Sequence, residues 1–462
     1  MRTHTPISGR RARAVALALA LSASVVTAGC SDFLEVSNPG AIENPSLDNT
    51  NYLQLMFDGV VGDFQPAFAW TALFSGAFTD ELRMHHTFFE NLEIDQRRVT
   101  ENNGTYALAV FNGLHRARFM ADTVAGRYRT LLGDSADADL RYAKTLAYAG
   151  YAYTLLGEQI CETRINGQGT PLQPSQLFAE AITRFDAAIA SADEVQAAAA
   201  NIANAATRAR VIAGADTARN LARVGAARAA LNMNNAAVAI AYAQAVTPAY
   251  VSDANPGFRF DTRYRQGSSS GETRRMGNPY WEFVSAGGSW VSLSGTPFAG
   301  LNDPRVPHDS AGAISVSSGG AFFVPNAPRS HSTYDGTTTG ARFVGSGGAA
   351  GTLSSIRLAS AIEARYIIAE AQGNTAANLL FLNDQRAIGG DLPLVAPSDA
   401  QYFAALRDQR AREFFVDGHR LGDLRRYEAF QGVDLWPTGP MYGGTTTFGD
   451  QKCWPTPVSE LF

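Results

Sequence analysis

The apolar residues of the chain follow a helical period in two blocks and lose that period in the stretch between them. From Arg141 to Gly157 they recur every three or four residues, which predicts an amphipathic helix that ends at the glycine. Pro174 and Ser175 give the start signal of a second helix. Its predicted apolar stripe consists of Phe178, Ala181, Ile182, Phe185 and Ile189.

A further pair of helices is predicted from about Ala215 to Val246, with a turn at residues 232–235. Two antiparallel helices of this length have the size of a tetratricopeptide (TPR) hairpin. The first block is therefore expected to form a scaffold of TPR-like helix hairpins.

Residues 247–353 have a different composition, because glycine, serine, threonine, proline and aromatic residues replace the alanine-rich segments. So many glycines and prolines are incompatible with long helices. A disordered linker is one interpretation, but the stretch carries many large aromatic residues, which a solvated spacer lacks. We expect ordered loops with short strands. The aromatic residues include Trp281, Trp290, Phe298, Phe322, Phe323 and Tyr334.

Helices are predicted to resume at Ser354, with a glycine turn at 373–374 between a first and a second arm. The first arm is expected to place Leu358 on its apolar face. Ser398 and Gln401 have the spacing of a capping box, which predicts the start of the last long helix.

The first residues of the chain have the pattern of an export signal. Arginines precede an apolar run from Ala14 to Val26 that is too short to span a bilayer. Cys30 follows small residues, as does the lipidated cysteine of a bacterial lipoprotein. We predict that residues 1–29 are removed and that Cys30 carries acyl chains such as palmitate. Simple secretion and a chance cysteine are the alternatives, and an ordinary basic start is favoured over twin-arginine export.

Removal of residues 1–29 would leave 34 basic against 43 acidic residues, a net charge of −9. A nucleic-acid partner needs a basic surface, so the composition argues against one. No later segment approaches 18 consecutive apolar residues. Acyl chains on Cys30 would therefore be the membrane anchor.

If Cys30 is acylated, Cys161 and Cys453 remain as an even pair in a compartment that permits disulfides. We predict that they form a disulfide bond. The alternative is two separate buried thiols.

Residues 407–427, RDQRAREFFVDGHRLGDLRRY, resemble the C-terminal signature of the SusD/RagB family. Other segments resemble that family in the same order along the chain, so the likeness spans most of its length. They are residues 30–35 (CSDFLE), residues 155–158 (LLGE), the alanine-rich pair at 222–245, residues 361–372 with 382–386, and residues 454–460 (WPTPVSE).

The resemblance implies a mainly α SusD-like fold, in which TPR-like hairpins form the scaffold and a loop-rich insert carries short strands. The expected division of the chain is a signal peptide at 1–29, a flexible lipidated tether at 30–44, an N-terminal helical part at 45–246, the aromatic insert at 247–353 and a C-terminal helical part at 354–462. The last part is expected to pack on the first within one domain.

The signature itself is interpreted as structural. Its charged residues have the spacing to join helix ends by ion pairs, and Gly418 is expected to be a left-handed helix cap. The residues of this motif are Arg410, Glu413, Gly418, His419, Arg420, Asp423 and Arg426.

Within that family, the resemblance implies a surface-exposed lipoprotein that captures a nutrient and works as a hinged lid on a SusC-like TonB-dependent channel. The ligand would be an oligosaccharide or an oligopeptide. Sugar rings pack their apolar faces on aromatic side chains while polar groups bind the hydroxyls. Candidate ligand-binding residues combine these types: Trp70, Asp80, Arg83, Tyr280, Trp281, Trp290 and Tyr334.

An enzyme is not expected, since the sequence has no zinc-protease, serine-hydrolase, P-loop or dinucleotide motif. No cofactor is predicted. His85 and His86 are adjacent, whereas metal ligands on a helix usually recur three or four residues apart, so no metal is predicted either. A glycoside hydrolase using Asp80 and Glu81, and a TPR-like protein-interaction scaffold, remain as alternatives.

Overall fold

The computed structural model describes residues 47–85, 88–264, 291–306, 308–309, 313–317, 320–324, 327–328 and 355–460. Within them the chain is mainly helical, which confirms the expected fold class. The helices are α1 Leu53–Phe78, α2 Phe89–Asp95, α3 Asn112–Leu132, α4 Leu140–Gln159, α5 Pro174–Ala199, α6 Ala205–Asn232, α7 Ala236–Gln244, α8 Ala361–Gln372, α9 Ala376–Ile388, α10 Asp399–Glu413 and α11 Arg420–Gln431. A turn of helix at Gly104–Tyr106 and a π-helix at Ala107–Phe111 lead into α3.

Neighbouring helices in the sequence pack against each other. Helix α1 packs on α3, α3 on α4, α4 on α5, α5 on α6 and α6 on α7. Local sequence fixes where several of them start: the side chains of Asp139, Asn204 and Asn235 each accept a backbone N–H in the first turn of α4, α6 and α7. The result is a series of helix hairpins, and the apolar periodicity predicts the part of it from α4 to α7.

The aromatic ring of Phe185 lies between two glycines and sets the close approach of α4, α5 and α6. Phe185 of α5 is fully buried and faces Gly150 of α4 and Gly225 of α6. A Cβ atom at either glycine would lie inside the van der Waals radius of the ring. Since interiors are close-packed, these positions must stay small for the three helices to pack.

The C-terminal helices form a second apolar cluster and then return to the first block. Helix α8 packs on α6 and α7, and α11 contacts α1 and α4. The cluster that joins α8, α9 and α10 is made of Ile362, Tyr366, Ala369, Phe381, Leu382, Tyr402, Ala405, Leu406 and Phe414. The last part of the chain thus packs on the first helices.

Short antiparallel pairs of strands connect the helices. Five pairs occur in the described residues. They are β1 Arg83–Met84 with β5 Val291–Ser292, β2 Thr163–Ile165 with β3 Gln168–Leu172, β4 Arg259–Thr262 with β10 Ile356–Ser360, β6 His308–Asp309 with β9 Ala327–Pro328, and β7 Ala313–Ser317 with β8 Gly320–Val324. The described part of residues 247–353 holds strands and turns without a helix, as its composition predicts.

Three boundaries differ from the sequence prediction. Helix α4 continues through Gly157, where it was expected to end, to Gln159. Helix α6 begins at Ala205, well before the expected Ala215. Leu358 lies in β10 and not in a helix, because residues 356–360 are buried along their whole length and pair with β4. Helix α8 starts only after Ser360, whose hydroxyl accepts the backbone N–H of Glu363.

The predicted disulfide is present. Cys161, just after α4, is bonded to Cys453 with an S–S distance of 2.01 Å. The backbone N–H of Cys161 also donates to Trp454 at 3.0 Å. The C-terminal segment is therefore fixed to the end of α4. None of the described helices is both long and apolar enough to cross a bilayer.

Replacing Gly225 by Ala should destabilise the protein by about 1–3 kcal/mol, because the new methyl group would overlap the Phe185 ring. Urea unfolding followed by circular dichroism measures the change. Gly62→Ala in α1 is the matched control, since the space around Gly62 is open and helix propensity should raise stability by about 0.5–1 kcal/mol. Equal effects of the two substitutions would contradict the packing argument.

Candidate ligand-binding site

Buried charged groups surround the connection between α10 and α11. Arg357 of β10 donates to Glu413 Oε1 at 2.8 Å and to Asp417 Oδ2 at 3.2 Å. Its guanidinium also lies 4.7 Å from the ring centroid of Phe414. Buried charges are tolerated only when they are paired in this way.

His419 lies between two carboxylates in the same cluster. Its Nδ1 is 2.7 Å from Asp417 Oδ1, and its Nε2 is 3.0 Å from Glu363 Oε1. Burial opposes the charged form, but the two carboxylates outweigh it and raise the pKa of His419 above its ordinary value. Arg228 of α6 adds a bidentate bond to Glu158 of α4, at 2.7 Å for each oxygen.

The other arginines of the motif join α11 to its neighbours. Arg410 donates to Asp423 at 2.8 Å, and Arg426 donates to Asp423 and to Glu370 of α8, both at 2.8 Å. Asp423 is buried, yet the two arginines hold its pKa well below its usual range in spite of that burial. These arginines and carboxylates are therefore paired with one another inside the protein.

Arg420 and Asp80 join α11 to the residues that follow α1. Arg420 donates to both carboxylate oxygens of Asp80, at 2.7 and 2.6 Å. Glu81 is fully buried and accepts the backbone N–H of Val416 at 2.9 Å. Burial raises the pKa of Glu81 well above its usual value. Gly418 is left-handed with φ of 82°, but α10 already ends at Glu413, so the glycine closes the turn before α11 and does not cap α10.

A cavity of about 480 Å³ opens beside the ion pair of Arg420 and Asp80. It lies between the end of α1, the turn after β5 and the segment after α11. We call it the Tyr442 cavity, and we call residues 434–454 the C-terminal strip. The lining includes Asp80, Thr296, Pro437, Thr438, Tyr442 and Phe448. Its volume is in the range of small-molecule sites, and its lining mixes rings, prolines and hydroxyl groups.

Contacts on every side hold Tyr442 in place. Its hydroxyl donates to Asp95 Oδ1 at 2.7 Å, and the Arg83 guanidinium lies 4.6 Å from its ring centroid. A Cβ at Gly295 would touch the ring, so only glycine fits there. Tyr442 itself has φ of 49°, a conformation that L-residues seldom adopt. The ring is therefore a fixed part of the cavity wall.

Asp95 is the buried support of this wall. It is 3% exposed and accepts hydrogen bonds from Tyr442 and from the backbone N–H of Met84 in β1. Burial raises the pKa of Asp95 to about 7, although both hydrogen bonds oppose the shift. The carboxyl links β1 to the C-terminal strip.

A second cavity, of about 540 Å³, lies on the other side of Thr438 and Phe448, which line both cavities. We call it the Arg97 cavity. Its charged lining consists of Arg97, Arg98, Asp434, Asp450 and Lys452.

The structure separates the predicted ligand residues. Arg83 is half-buried over Tyr442 but lines neither cavity, and Asp80 lines the Tyr442 cavity but has both oxygens occupied by Arg420. Trp70 stacks on Phe74 within α1, with centroids 5.3 Å apart, and lines neither cavity. The remaining candidates, Tyr280, Trp281, Trp290 and Tyr334, lie outside the described residues, as does Cys30.

The histidine pair is only partly described, since His86 lies outside the described residues. His85 Nε2 lies 2.7 Å from Ser292 Oγ. Burial, together with nearby Arg83, lowers the pKa of His85 to about 4. Among the described residues, no three histidine, cysteine or acidic side chains are placed to hold a metal.

Sequence reasoning missed the C-terminal strip as a wall of the site. Tyr442, Phe448, Trp436 and Arg97 were not singled out. One signal was available: residues 435–449 have the same mixture of glycine, proline, threonine and aromatics as the insert. That composition predicts ordered loops wherever it occurs.

The sequence matches no protein-family model and no curated protein. Solved structures do match. A laminarin-binding SusD-like protein is 16% identical, with 88% of this chain and 97% of that one covered and a TM-score of 0.59. Surface glycan-binding protein A from Bacteroides thetaiotaomicron, in complex with laminarihexaose, is 13% identical over 89% and 97% of the two chains, with a TM-score of 0.62. The corresponding protein from Bacteroides fluxus is 16% identical over 89% and 96%, with a TM-score of 0.60. The chain has the SusD-like fold.

Replacing Asp95 by Asn should flatten the pH dependence of stability. Folding raises the pKa of Asp95 from 3.8 to about 7, so the folded protein favours the protonated carboxyl. The stabilisation from that proton is complete below about pH 4 and is lost as the pH rises through 7. Urea unfolding from pH 4 to 8 should show a decline for the original protein that is smaller in the variant.

Asp137→Asn serves as the control for this experiment. Hydrogen bonding to Arg129 lowers the pKa of Asp137, so its contribution is lost only in more acidic solution. The decline between pH 4 and 7 should persist in that variant. An unchanged decline in Asp95→Asn would show that Asp95 ionises freely in the folded protein.

Proposed function

We propose that this chain is a SusD/RagB-family lipoprotein that captures a glycan, without catalysis, and delivers it to a SusC-like TonB-dependent outer-membrane channel. The supporting observation is the SusD-like fold over nearly nine-tenths of the chain, shared with structures whose names include laminarin binding and a laminarihexaose complex. An oligopeptide is the second candidate ligand, because one fold can serve several ligands.

The Tyr442 cavity offers the chemistry that a sugar needs. Phe448 and the uncovered part of the Tyr442 ring supply aromatic surface, and Thr438 supplies a hydroxyl group, whereas the Thr296 hydroxyl already donates to the Leu293 carbonyl. Arg83 is held over Tyr442 with its guanidinium beside the wall. Planar apolar surface next to fixed polar groups suits the C–H faces and the hydroxyls of a sugar ring.

The proposed membrane anchor is Cys30, in the first residues of the sequence. Acylated Cys30 would tether the protein to the outer membrane at the cell surface, and residues 31–44, rich in serine, asparagine, proline and glycine, would give it freedom to swing. In this proposal the helical body acts as a hinged lid on the channel, which opens for ligand and closes to deliver it.

The geometry of Asp80 and Glu81 disfavours a glycoside hydrolase. Both oxygens of Asp80 bind Arg420, and Glu81 is fully buried. A hydrolase needs one carboxyl to protonate the bond and another to attack or to activate water. Incubation of the purified protein with oligosaccharides should therefore release no reducing ends. Measurable release would replace binding with hydrolysis as the function.

Replacing Arg83 by Gln should weaken glycan binding about tenfold, because the guanidinium that packs on Tyr442 and helps to hold this wall of the cavity is lost. Calorimetric titration with a panel of oligosaccharides, including laminarihexaose, and of oligopeptides measures the affinity. Arg116→Gln is the matched control, since Arg116 lies on α3 with a largely exposed side chain. A second variant with both Trp281 and Trp290 replaced by Ala tests the insert in the same titration.

Two outcomes of these titrations would contradict the proposal. If no oligosaccharide or peptide binds the original protein, a ligand-free TPR-like scaffold that binds another protein becomes the better description. If ligand binds but neither variant differs from the Arg116→Gln control, the site lies elsewhere on the molecule.

A further inference from the structure

Arg425 of α11 binds the end of α4 with only one of its guanidinium nitrogens. Its Nη1 donates to the backbone carbonyls of Gly157, Glu158 and Ile160, at 3.1, 2.7 and 3.1 Å. The end of a helix leaves such carbonyls without a partner, and arginine often binds them. This capping role accounts for Nη1. The other two nitrogens, Nε and Nη2, have no hydrogen-bond partner among the described residues.

Nε and Nη2 share the edge of the guanidinium that binds a carboxylate elsewhere in α11. Arg420 donates from both nitrogens to Asp80, and Arg426 donates from both to Glu370. Arg425 is half-buried, yet neither its Nε nor its Nη2 is among the buried side-chain atoms that lack a partner. This edge is therefore accessible to solvent and available to a carboxylate from outside the described chain.

The same arginine lines a cavity of about 240 Å³ between the end of α4, the start of α5 and helix α11. We call it the Phe430 pocket. Pro174 and Phe178 of α5 and Ala429 and Phe430 of α11 supply its apolar surface. Phe430 is 47% exposed, although it is a large apolar residue. The cavity is smaller than most small-molecule sites, so it suits the end of a ligand better than a whole oligosaccharide.

The polar side chains on the inner wall of the pocket are already paired. Both oxygens of Glu158 accept hydrogen bonds from α6. Asn232 donates to Glu158 and accepts from Arg426. In the described lining, the groups left for a ligand are the free edge of Arg425 and the exposed hydroxyl of Ser175. A sugar ring would find few partners for its hydroxyls here, whereas an apolar group with one carboxylate would satisfy the free edge.

The charge balance at Arg425 also favours an anion. Burial lowers the pKa of Arg425 to about 10, and among the described residues Glu158 alone opposes this shift. That carboxylate is already bound by Arg228. Pro174 and Ser175 belong to the first turn of α5, where the helix dipole leaves partial positive charge. A bound carboxylate would therefore offset the cost of burying Arg425.

We propose that the Phe430 pocket binds the carboxylate of an apolar acid, the group presented by a peptide with an apolar last residue or by a small aromatic acid. The carboxylate binds the Nε and Nη2 edge of Arg425 in the bidentate geometry that arginine favours, and the apolar group packs against the Phe430 ring. The pocket shares no described lining residue with the Tyr442 and Arg97 cavities. The inference thus goes beyond the proposed glycan binding and does not rest on it.

The test compares acids with their amides. The purified protein is titrated calorimetrically with the N-acetylated tripeptide Gly-Ala-Phe, with the same tripeptide amidated at its C-terminus, and with phenylpropionate and its amide. At least one acid should bind about 10- to 100-fold more tightly than its amide, the range expected for a charge-assisted pair. Binding by the tripeptide acid alone identifies a peptide end as the ligand, whereas equal binding by phenylpropionate identifies a small acid.

Arg425→Gln should remove the difference between acid and amide and leave the affinity for the amide within about twofold. Arg223→Gln is the matched control. Arg223 also donates from Nη1 to a carbonyl at the end of a helix, that of Ala245 after α7, but it lines none of the three cavities. The preference for the acid should persist in that control.

Ser175→Asp gives an answer that does not depend on removing a half-buried arginine. Ser175 is exposed at the second position of α5 and lines the pocket, so an aspartate there should repel the carboxylate and weaken acid binding about three- to tenfold. The amide should be unaffected. Ala206→Asp places the same charge at the exposed second position of α6, outside the pocket lining, and should change neither affinity.

The outcomes separate this inference from the proposed function. Amides that bind as well as the acids overturn the carboxylate site, and so does the absence of binding by both acids. An acid preference that survives in Arg425→Gln, or that Ser175→Asp does not reduce, also overturns it. None of these results bears on oligosaccharide binding, which concerns the other two cavities.

Discussion

The fold depends on buried arginines that need carboxylates from distant parts of the chain. Arg420 finds Asp80 at the end of α1, Arg228 finds Glu158, and Arg357 finds Glu413. Removing one partner from such a pair typically costs about 3–5 kcal/mol, because the other charge is left buried and unpaired. Helix α11 can therefore occupy only the place where all its partners meet, and this requirement brings the end of the chain back to its first helix.

That constraint also shapes the two cavities. Once α11 is fixed, the C-terminal strip must run past the residues that follow α2, and it is held there by backbone and side-chain bonds. Val99 donates to Gln451 at 2.6 Å and accepts from it at 2.8 Å, and Cys453 is bonded to Cys161. The two cavities lie on either side of Thr438 because the strip crosses this surface with bends that its glycines and prolines permit. Residues of the cavity walls that are far apart in sequence become neighbours because the C-terminal strip crosses this surface.

The parts of the fold that the sequence predicts are those governed by local rules. The capping box at Ser398 and the apolar stripe of α5 act within one helix. The structure confirms the capping box and buries Phe178, Ala181 and Phe185 of the predicted stripe, whereas Ile182 and Ile189 are half-buried at its edge. Helix α1 was not singled out because its second half is buried on nearly every side, which removes the polar face that periodicity needs. Leu358 was misplaced for a related reason, since a fully buried short strand has no alternation to show. Tyr442 and Arg97 come to line the two cavities through long-range contacts, which a single sequence does not reveal.

The buried ion pairs and the cavity walls make opposite demands on charged side chains. Asp80 lines the Tyr442 cavity but belongs to the buried ion pairs, because Arg420 binds both of its oxygens and leaves none for a ligand. Arg83 packs on the Tyr442 ring and Arg97 on the Trp436 ring, and a ring does not use up guanidinium N–H groups, although Arg97 Nη2 donates to the Gly449 carbonyl. Positive φ values at Arg97 and Tyr442 are accompanied by close contacts, from Gly449 on the Arg97 carbonyl and from Gly295 on Tyr442. A wall ordered in advance loses little conformational freedom when a ligand arrives, so the energy that holds the fold together also prepares the surface for binding.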